Sequence, residues 1–293
     1  MLIDNITLYK YFLEAAKSGS ISAAARKLFI SQPAVSSCIL QLEEALGVKL
    51  FFRTSRGINL TTEGKLLYQY VNSGLSFLEA GEDKLRDLNG LNSGVLRVGA
   101  SDMTLKFFLL DYIEEFNNLY PKINLIISNN PTPKTLDSLR NGQIDFCIVS
   151  EPVEEDDDIE FIPVLKIRDM IVCKNCEKFA ALFDREIEEE ELKEYTLIML
   201  EKCTSTRKYW DRYINFEPAI ELAQSDLIVD FALRGFGVAF VVENFASGYL
   251  NSGELAEVKL KHPIPVRNFL LGYLNKIPLS AAAKKFISRV TKL

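Results

Sequence analysis

The sequence predicts a chain in three parts: a winged helix-turn-helix head over 1–60, a long linker or dimerisation helix over 61–89, and a two-lobed α/β domain over 90–293. Three observations carry this. A chain of 293 residues exceeds the roughly 100 to 200 that one domain usually takes. Apolar residues recur with a helical period as far as Leu88, and strand-like and helical runs alternate after Gly94. Charge is unevenly divided: residues 1–65 hold eight Lys/Arg against five Asp/Glu, whereas the whole chain carries −6. A basic head on an acidic body predicts that the head alone meets a polyanion such as DNA.

Composition excludes several classes. Hydrophobic residues at 48% and charged residues at 25% supply a globular core, which rules out a disordered or collagen-like chain. No apolar run approaches the ~20 residues of a membrane span. Asp4 and Glu14 interrupt the N-terminal segment in a way a signal peptide does not, so a cytoplasmic location is expected. Five scattered cysteines read as reduced thiols. One histidine, His262, leaves little for a Ser-His-Asp triad or a His-based zinc site.

In the head, Ile6 to Ala16 is the first helix, stopped at Gly19. Ser20 caps a second, on which Ile21, Ala24, Ala25 and Leu28 fall on one face. Ser31 caps a third, with Pro33 in its first turn and Val35, Ile39, Leu42 and Leu46 as its stripe up to Gly47. Two helices joined by Ile30-Ser31 make a helix-turn-helix, and two short apolar runs about Gly57 make a wing with Arg53 and Arg56 at its tip. Thr61 or Thr62 then caps a long helix whose stripe of Leu66, Leu67, Tyr70, Val71, Leu75, Leu78, Leu85 and Leu88 calls for a partner, or else for packing on its own domain. Asn89 to Gly94 reads as a hinge.

Beyond it the sequence predicts strands at Val95 to Ala100, Ile123 to Ser128 and Asp145 to Val149, alternating with helices at Leu105 to Leu119 and Thr135 to Arg140. A second set follows: strands at Ile171 to Cys173, Leu197 to Leu200 and Gly237 to Val242, with helices from about Thr206 and from Ser225 to Arg234. The lobes are expected at about 94–163 with 266–293, and about 164–265, with a cleft between them.

Taken together, Ser20-Ile21-Ser22-Ala23-Ala24-Ala25-Arg26-Lys27-Leu28, Ser31-Gln32-Pro33-Ala34-Val35-Ser36, Leu42-Glu43-Glu44-Ala45-Leu46-Gly47, Leu50-Phe51-Phe52-Arg53 and Leu60-Thr61-Thr62-Glu63-Gly64 resemble the LysR-type transcriptional regulators. Looser likeness runs on through Val98 to Ser101, Gly142 to Asp145, Leu200 to Lys202 with Ser205 to Arg207, and Gly235 to Ala239. The resemblance implies an effector domain similar to periplasmic binding proteins. It also implies a homodimer or homotetramer that binds inverted-repeat promoter DNA and answers to a small molecule. RNA polymerase stands as a candidate partner; no enzyme activity, cofactor, metal or membrane is expected.

The end of a recognition helix that enters the major groove favours short polar residues, which places Ser31, Gln32, Pro33, Ser36 and Ser37 at the DNA. Gln32 can pair with the N6/N7 edge of adenine, and Arg53 and Arg56 would meet phosphates or the minor groove. Many relatives carry Arg, His or Gln after the second serine, where this chain has Ser37 and Cys38.

In the lobes, a small anionic effector would be held by hydroxyls and helix N–H groups: Ser101, Thr104, Thr132, Thr204, Ser205 and Thr206 are the candidates, each also able to serve as a helix cap. Phe161 and Val229 could wall the pocket or belong to the core, and Arg207 reads as an ion-pair partner. A second class of function, a thiol-based redox or metal sensor, would use Cys173, Cys176 or Cys203. The lone CxxC spacing of Cys173 and Cys176, and Ser205 where peroxide-sensing relatives keep a reactive cysteine, weigh against it.

Overall fold

The computed structural model describes residues 5–54, 57–87, 94–183 and 185–291. Residues 89–93 of the hinge expected over 89–94, Leu88 of the expected helical stripe and the wing-tip residue Arg56 lie outside them, and Gly94 begins a strand. Two bodies are described in turn: the head with most of the long helix, and the α/β domain beginning near Asp83.

The head is built from α1 (Ile6–Ser18), α2 (Ile21–Leu28) and α3 (Gln32–Leu46), then the hairpin β1 (Phe51–Thr54) and β2 (Gly57–Leu60). Each helix starts on a side-chain cap, Asn5, Ser20 and Ser31, and α1 and α3 end on the left-handed glycines Gly19 and Gly47. α2 instead ends on Phe29, a non-glycine residue at φ 56°. Its N–H bonds back to the carbonyls of Ala25 and Arg26, turning the chain within two residues into α3. Ala15, Ala24, Ala25, Val35, Ile39 and Ile58 form one core cluster; the small alanines let the three helices approach closely.

Antiparallel pairing of Phe51 with Leu60 and Arg53 with Ile58 makes the wing. Gly57, at φ 135°, lies so close to the Gly19 carbonyl that an added Cβ would sit 2.4 Å from it, and Ile58 N–H bonds to that same oxygen at 3.0 Å. The wing is thereby tied to the α1–α2 corner. Helix α4 (Thr62–Asp87) begins where Thr61 Oγ1 accepts from the N–H of Gly64, which decides for Thr61 between the two cap candidates. Its first turns bury Leu67, Tyr68 and Val71 against Phe12, Leu42 and Leu50, while Leu66, Tyr70, Leu78 and Leu85 remain exposed.

The α/β domain contains two sheets. In the first, β3 (Gly94–Ala100), β4 (Ile123–Asn129), β5 (Phe146–Ser150), β6 (Ile159–Ile167) and, far along the chain, β13 (Arg267–Leu274) lie in the order β4-β3-β5-β13-β6. Strands β4, β3 and β5 run parallel, and β13 is antiparallel to β5 and β6. Around them pack α5 (Asp102–Thr104), which continues through a π-helical turn (Leu105–Leu109) into α6 (Leu110–Leu119), and α7 (Thr132–Arg140).

The second sheet comprises β7 (Asp169–Lys174), β8 (Glu186–Ile187), β9 (Leu197–Leu200), β10 (Ile220–Leu222), β11 (Val238–Val242) and β12 (Leu255–Leu260), ordered β10-β9-β11-β7-β12-β8. Its helices are α8 (Ser205–Trp210), α9 (Ser225–Leu233) and α10 (Glu243–Asn251). The C-terminal α11 (Ala281–Val290) returns to the first lobe, where Phe286 packs on Phe116 and Phe146 with ring centroids 5.2 Å apart in both pairs.

The chain crosses between the sheets twice, at Arg168 and at 261–266. The first lobe therefore runs to Ile167 and not to about 163. Pro163 would halt an ordinary strand, but it sits on edge strand β6 opposite Leu270, where the register shifts between Phe269 and Leu270 and absorbs it.

Candidate functional site

At the tip of α3, Ser31 Oγ accepts from Ala34 N–H at 3.4 Å, and Gln32 and Pro33 occupy the first two helical positions. Ser31, Gln32, Pro33 and Ser37 are exposed and Ser36 is half-buried; the opposite face of α3 buries Val35, Ile39 and Leu42. The apolar stripe thus decides which polar side chains face outward. Ser22 Oγ donates to Gln32 Oε1 at 2.9 Å, which fixes the carbonyl end of the amide. The oxygen keeps a lone pair for an adenine N6–H and the amide nitrogen can donate to N7. Arg53 lies on β1, opposite Ile58.

Glu43, in the sequence only part of a motif, joins this helix to the wing. Glu43, 6% exposed, accepts from Leu50 N–H at 2.8 Å, from Phe51 N–H at 3.4 Å and from Lys49 Nζ at 2.7 Å. Burial opposes its charge, but these donors outweigh burial and hold the carboxyl below the usual carboxylate range. A buried carboxylate on the recognition helix therefore anchors the first strand of the wing. Its spacing of four and eight residues from Ile39 and Val35, which puts it on the buried stripe, was the available signal.

In the α/β domain a cavity of about 290 Å3 opens between the lobes. Ser101, Asp102, Asn129, Asn130, Thr132 and Ser150 line it from the first lobe, and Leu200, Thr204, Ser205, Thr206, Ala223 and Ser225 from the second. Five of the six residues proposed from sequence meet here. The sixth, Thr104, does not: it is fully buried, and its hydroxyl accepts from Ser101 N–H (2.9 Å) and donates to Ser101 O (2.9 Å) in a capping box. Its position in the first helical turn points it back at its own cap. Val229 belongs to the core and Phe161 packs against another apolar cluster, so neither is among the lining residues.

The hydroxyls in this cleft are paired with one another. Ser205 Oγ lies 3.0 Å from Thr132 Oγ1 and 2.7 Å from Ser150 Oγ, so one lobe-II hydroxyl latches onto two from lobe I, all three residues buried. Thr206 Oγ1 accepts from Arg267 Nη2 at 3.0 Å. That arginine starts β13 and grips Asp169, at the start of β7, by Nε–Oδ2 at 2.6 Å and Nη2–Oδ1 at 2.9 Å. The pair is almost wholly buried where the chain crosses between the sheets, and burial pushes the Asp169 carboxyl up against the pull of the guanidinium. Tyr209 stacks on the Arg267 guanidinium at 4.9 Å. A ligand touching Thr206 is therefore one side chain away from the interlobe crossing. At the rim, Lys106 of lobe I pairs with Asp226 of lobe II at 2.8 Å.

Arg207, buried, is held within lobe II by Asp211 (2.6 Å), Glu221 (2.8 Å) and the Leu200 carbonyl (3.2 Å). The thiols are dispersed. Cys173 is buried beside the half-buried Cys176, and burial, then the neighbouring thiol, pushes Cys173 up to about 12. Burial likewise raises Cys147 to about 12. Neither would be a thiolate near neutral pH. Cys203 is exposed, its thiol 3.7 Å from a Glu201 carboxylate oxygen. Among the described residues no cluster of three or more His, Cys, Asp or Glu could hold a metal ion, and no helix is long and apolar enough to cross a membrane.

A winged helix-turn-helix followed by a two-lobed α/β domain defines the class of one-chain transcription regulators. The particular family follows from comparison: the LysR substrate binding domain matches residues 89–293, and the bacterial regulatory helix-turn-helix protein, lysR family, matches 6–65. The chain belongs to the LysR family of DNA-binding transcriptional regulators. Among relatives, a probable RuBisCO transcriptional regulator of Emiliania huxleyi is 28% identical over 294 residues, covering 91% of this chain and 93% of that protein. Another from Nostoc sp. is 31% identical over 250 residues, covering 82% and 74%. In fold, full-length CbnR complexed with its target DNA matches with a TM-score of 0.69 at 16% identity, over 98% of this chain and 99% of that one. A full-length variant of OxyR from Pseudomonas aeruginosa matches with a TM-score of 0.69 at 21% identity, over 99% and 95%.

Proposed function

We propose that this regulator reads promoter DNA with Ser31, Gln32, Pro33, Ser36 and Ser37, aided by Arg53 and Arg56 of the wing. Its affinity or geometry on DNA is set by a small acidic molecule in the interlobe cleft. The hydroxyl latch of Thr132, Ser150 and Ser205 carries this reading. It joins the lobes through groups that a ligand can replace one for one, so occupancy and lobe arrangement are linked. The α7 and α9 N-termini at Thr132 and Ser225 add N–H donors for an acidic group. Asp102 is the one charged side chain of the lining, so a ligand bearing an acidic group and a donor fits better than a bare polyanion.

The exposed Leu66, Tyr70, Leu78 and Leu85 of α4 suit pairing with a second copy, which would set two heads across an inverted repeat. A thermal-shift screen of small organic acids and amino acids tests the cleft: the active compound should raise Tm in the full chain and not in Ala223→Trp, which fills the cavity. Equal shifts in both proteins would remove the cleft from the account. Light scattering on Leu78→Asp tests the helix; retention of the native oligomer would rule out α4 as its seam.

A further inference from the structure

A second cavity, of about 370 Å3, adjoins the first. Thr132 and Ser205 line both, so the 3.0 Å bond between their hydroxyls is the partition. The two chambers differ in chemistry. No Lys or Arg lines the first, whereas the second has Arg140 on α7, Lys208 on α8 and Arg212 just beyond it.

Arg140 is already engaged, by Asp137 at 3.0 Å and Asp156 at 2.8 Å. Lys208 and Arg212, four residues apart and both exposed, meet no carboxylate at ion-pair distance among the described residues. Glu154 is the one acidic lining residue outside the Arg140 network, which leaves Lys208 and Arg212 as the two lining cations without a carboxylate partner among the described residues. Opposite these cations Pro133, Leu136, Pro152 and Val153 supply an apolar wall.

We propose that this chamber is a second binding site, for a carboxylate with a short apolar body: the acid group at Lys208 and Arg212, the body against Pro133, Leu136 and Val153. Charge-assisted hydrogen bonds to two cations fix the acid end, and removal of the chain from water supplies the remaining affinity. The site does not depend on what the first cavity takes. Because the partition is shared, a ligand in one chamber that displaces Thr132 or Ser205 alters the other, and by linkage the effect is reciprocal.

Calorimetric titration of the full chain with octanoate, and with octanamide as its neutral counterpart, tests the proposal. Octanoate is expected to bind saturably at one per chain. The surface double variant Lys208→Gln/Arg212→Gln should bind it about tenfold more weakly or worse, with octanamide unaffected by the same change. Val153→Trp, which fills the second chamber, should abolish binding, and Ala223→Trp, which fills the first, should leave it intact. The proposal is overturned by the absence of saturable binding or by undiminished affinity in the double variant. Loss in Ala223→Trp with retention in Val153→Trp would also overturn it by placing octanoate in the first cavity. Failure of the interlobe effector reading shows elsewhere, as Tm shifts insensitive to Ala223→Trp.

Discussion

Ser31 in the head and Ser205 in the cleft are both short hydroxyls at the start of a helix, yet they stand in opposite conditions. Ser31 is exposed, with Gln32, Pro33 and Ser37 beside it open to solvent. Ser205 is buried and shares its hydroxyl with Thr132 and Ser150. The hydrogen bonds of the head tip, Ala34 N–H to Ser31 and Ser22 to Gln32, stay within the head, whereas those of Ser205 join two lobes. The first arrangement suits reading a surface, and the second suits converting occupancy into movement.

The largest expected effect is at the crossing between the lobes. Arg267→Met leaves the Asp169 carboxylate buried without its partner and should cost about 3–5 kcal/mol in urea unfolding of the α/β domain. Adding Asp169→Leu should recover most of it; a single variant as stable as the parent would mean that the pair does not join the lobes. In the head, Glu43→Gln should cost about 1.5–3 kcal/mol, because two backbone N–H groups and Lys49 lose their charged acceptor. The pH dependence has a definite sign. With the Glu43 carboxyl held below its ordinary value of 4.5, its contribution is present above that pH and is lost as the pH falls through the lowered native value. The Gln variant should accordingly show a flatter acid limb in head unfolding than the parent.

Smaller effects sharpen the contrast at the DNA. Gln32→Ala should weaken binding to the cognate promoter by about 1–3 kcal/mol and leave non-specific binding nearly unchanged. Arg53→Ala should weaken both and reduce the salt slope by about one. Ser22→Ala, which frees the Gln32 carbonyl, should lose about 1 kcal/mol of specific affinity. Fluorescence anisotropy on promoter and scrambled duplexes separates these outcomes; equal losses on both duplexes for Gln32→Ala would remove it from base reading.

Helix α3 was legible because caps and period act locally: Ser31, Pro33 and Gly47 mark its ends and the stripe of Val35, Ile39 and Leu42 assigns its faces. The same logic explains why Thr104 was misplaced. A hydroxyl in a first turn serves a ligand or its own cap, and only the position of its backbone decides. Long-range partners were illegible: Arg267 meets Asp169 across 98 residues, and Ser205 meets Thr132 across 73, at spacings no local pattern records. Strand β13 went unnamed because it opens on a charged residue that is buried among distant partners, Asp169, Thr206 and Tyr209, and β6 because of Pro163.

The most direct test is the affinity of the full chain for its own promoter fragment and for a scrambled duplex, titrated with the compound that raises Tm. The expected result is a change in promoter affinity of 5-fold or more, within the usual allosteric range of about 1–3 kcal/mol, absent on the scrambled duplex and absent in Ala223→Trp. Promoter affinity that does not differ from that of the scrambled duplex, or that stays constant across saturating compound, would contradict it.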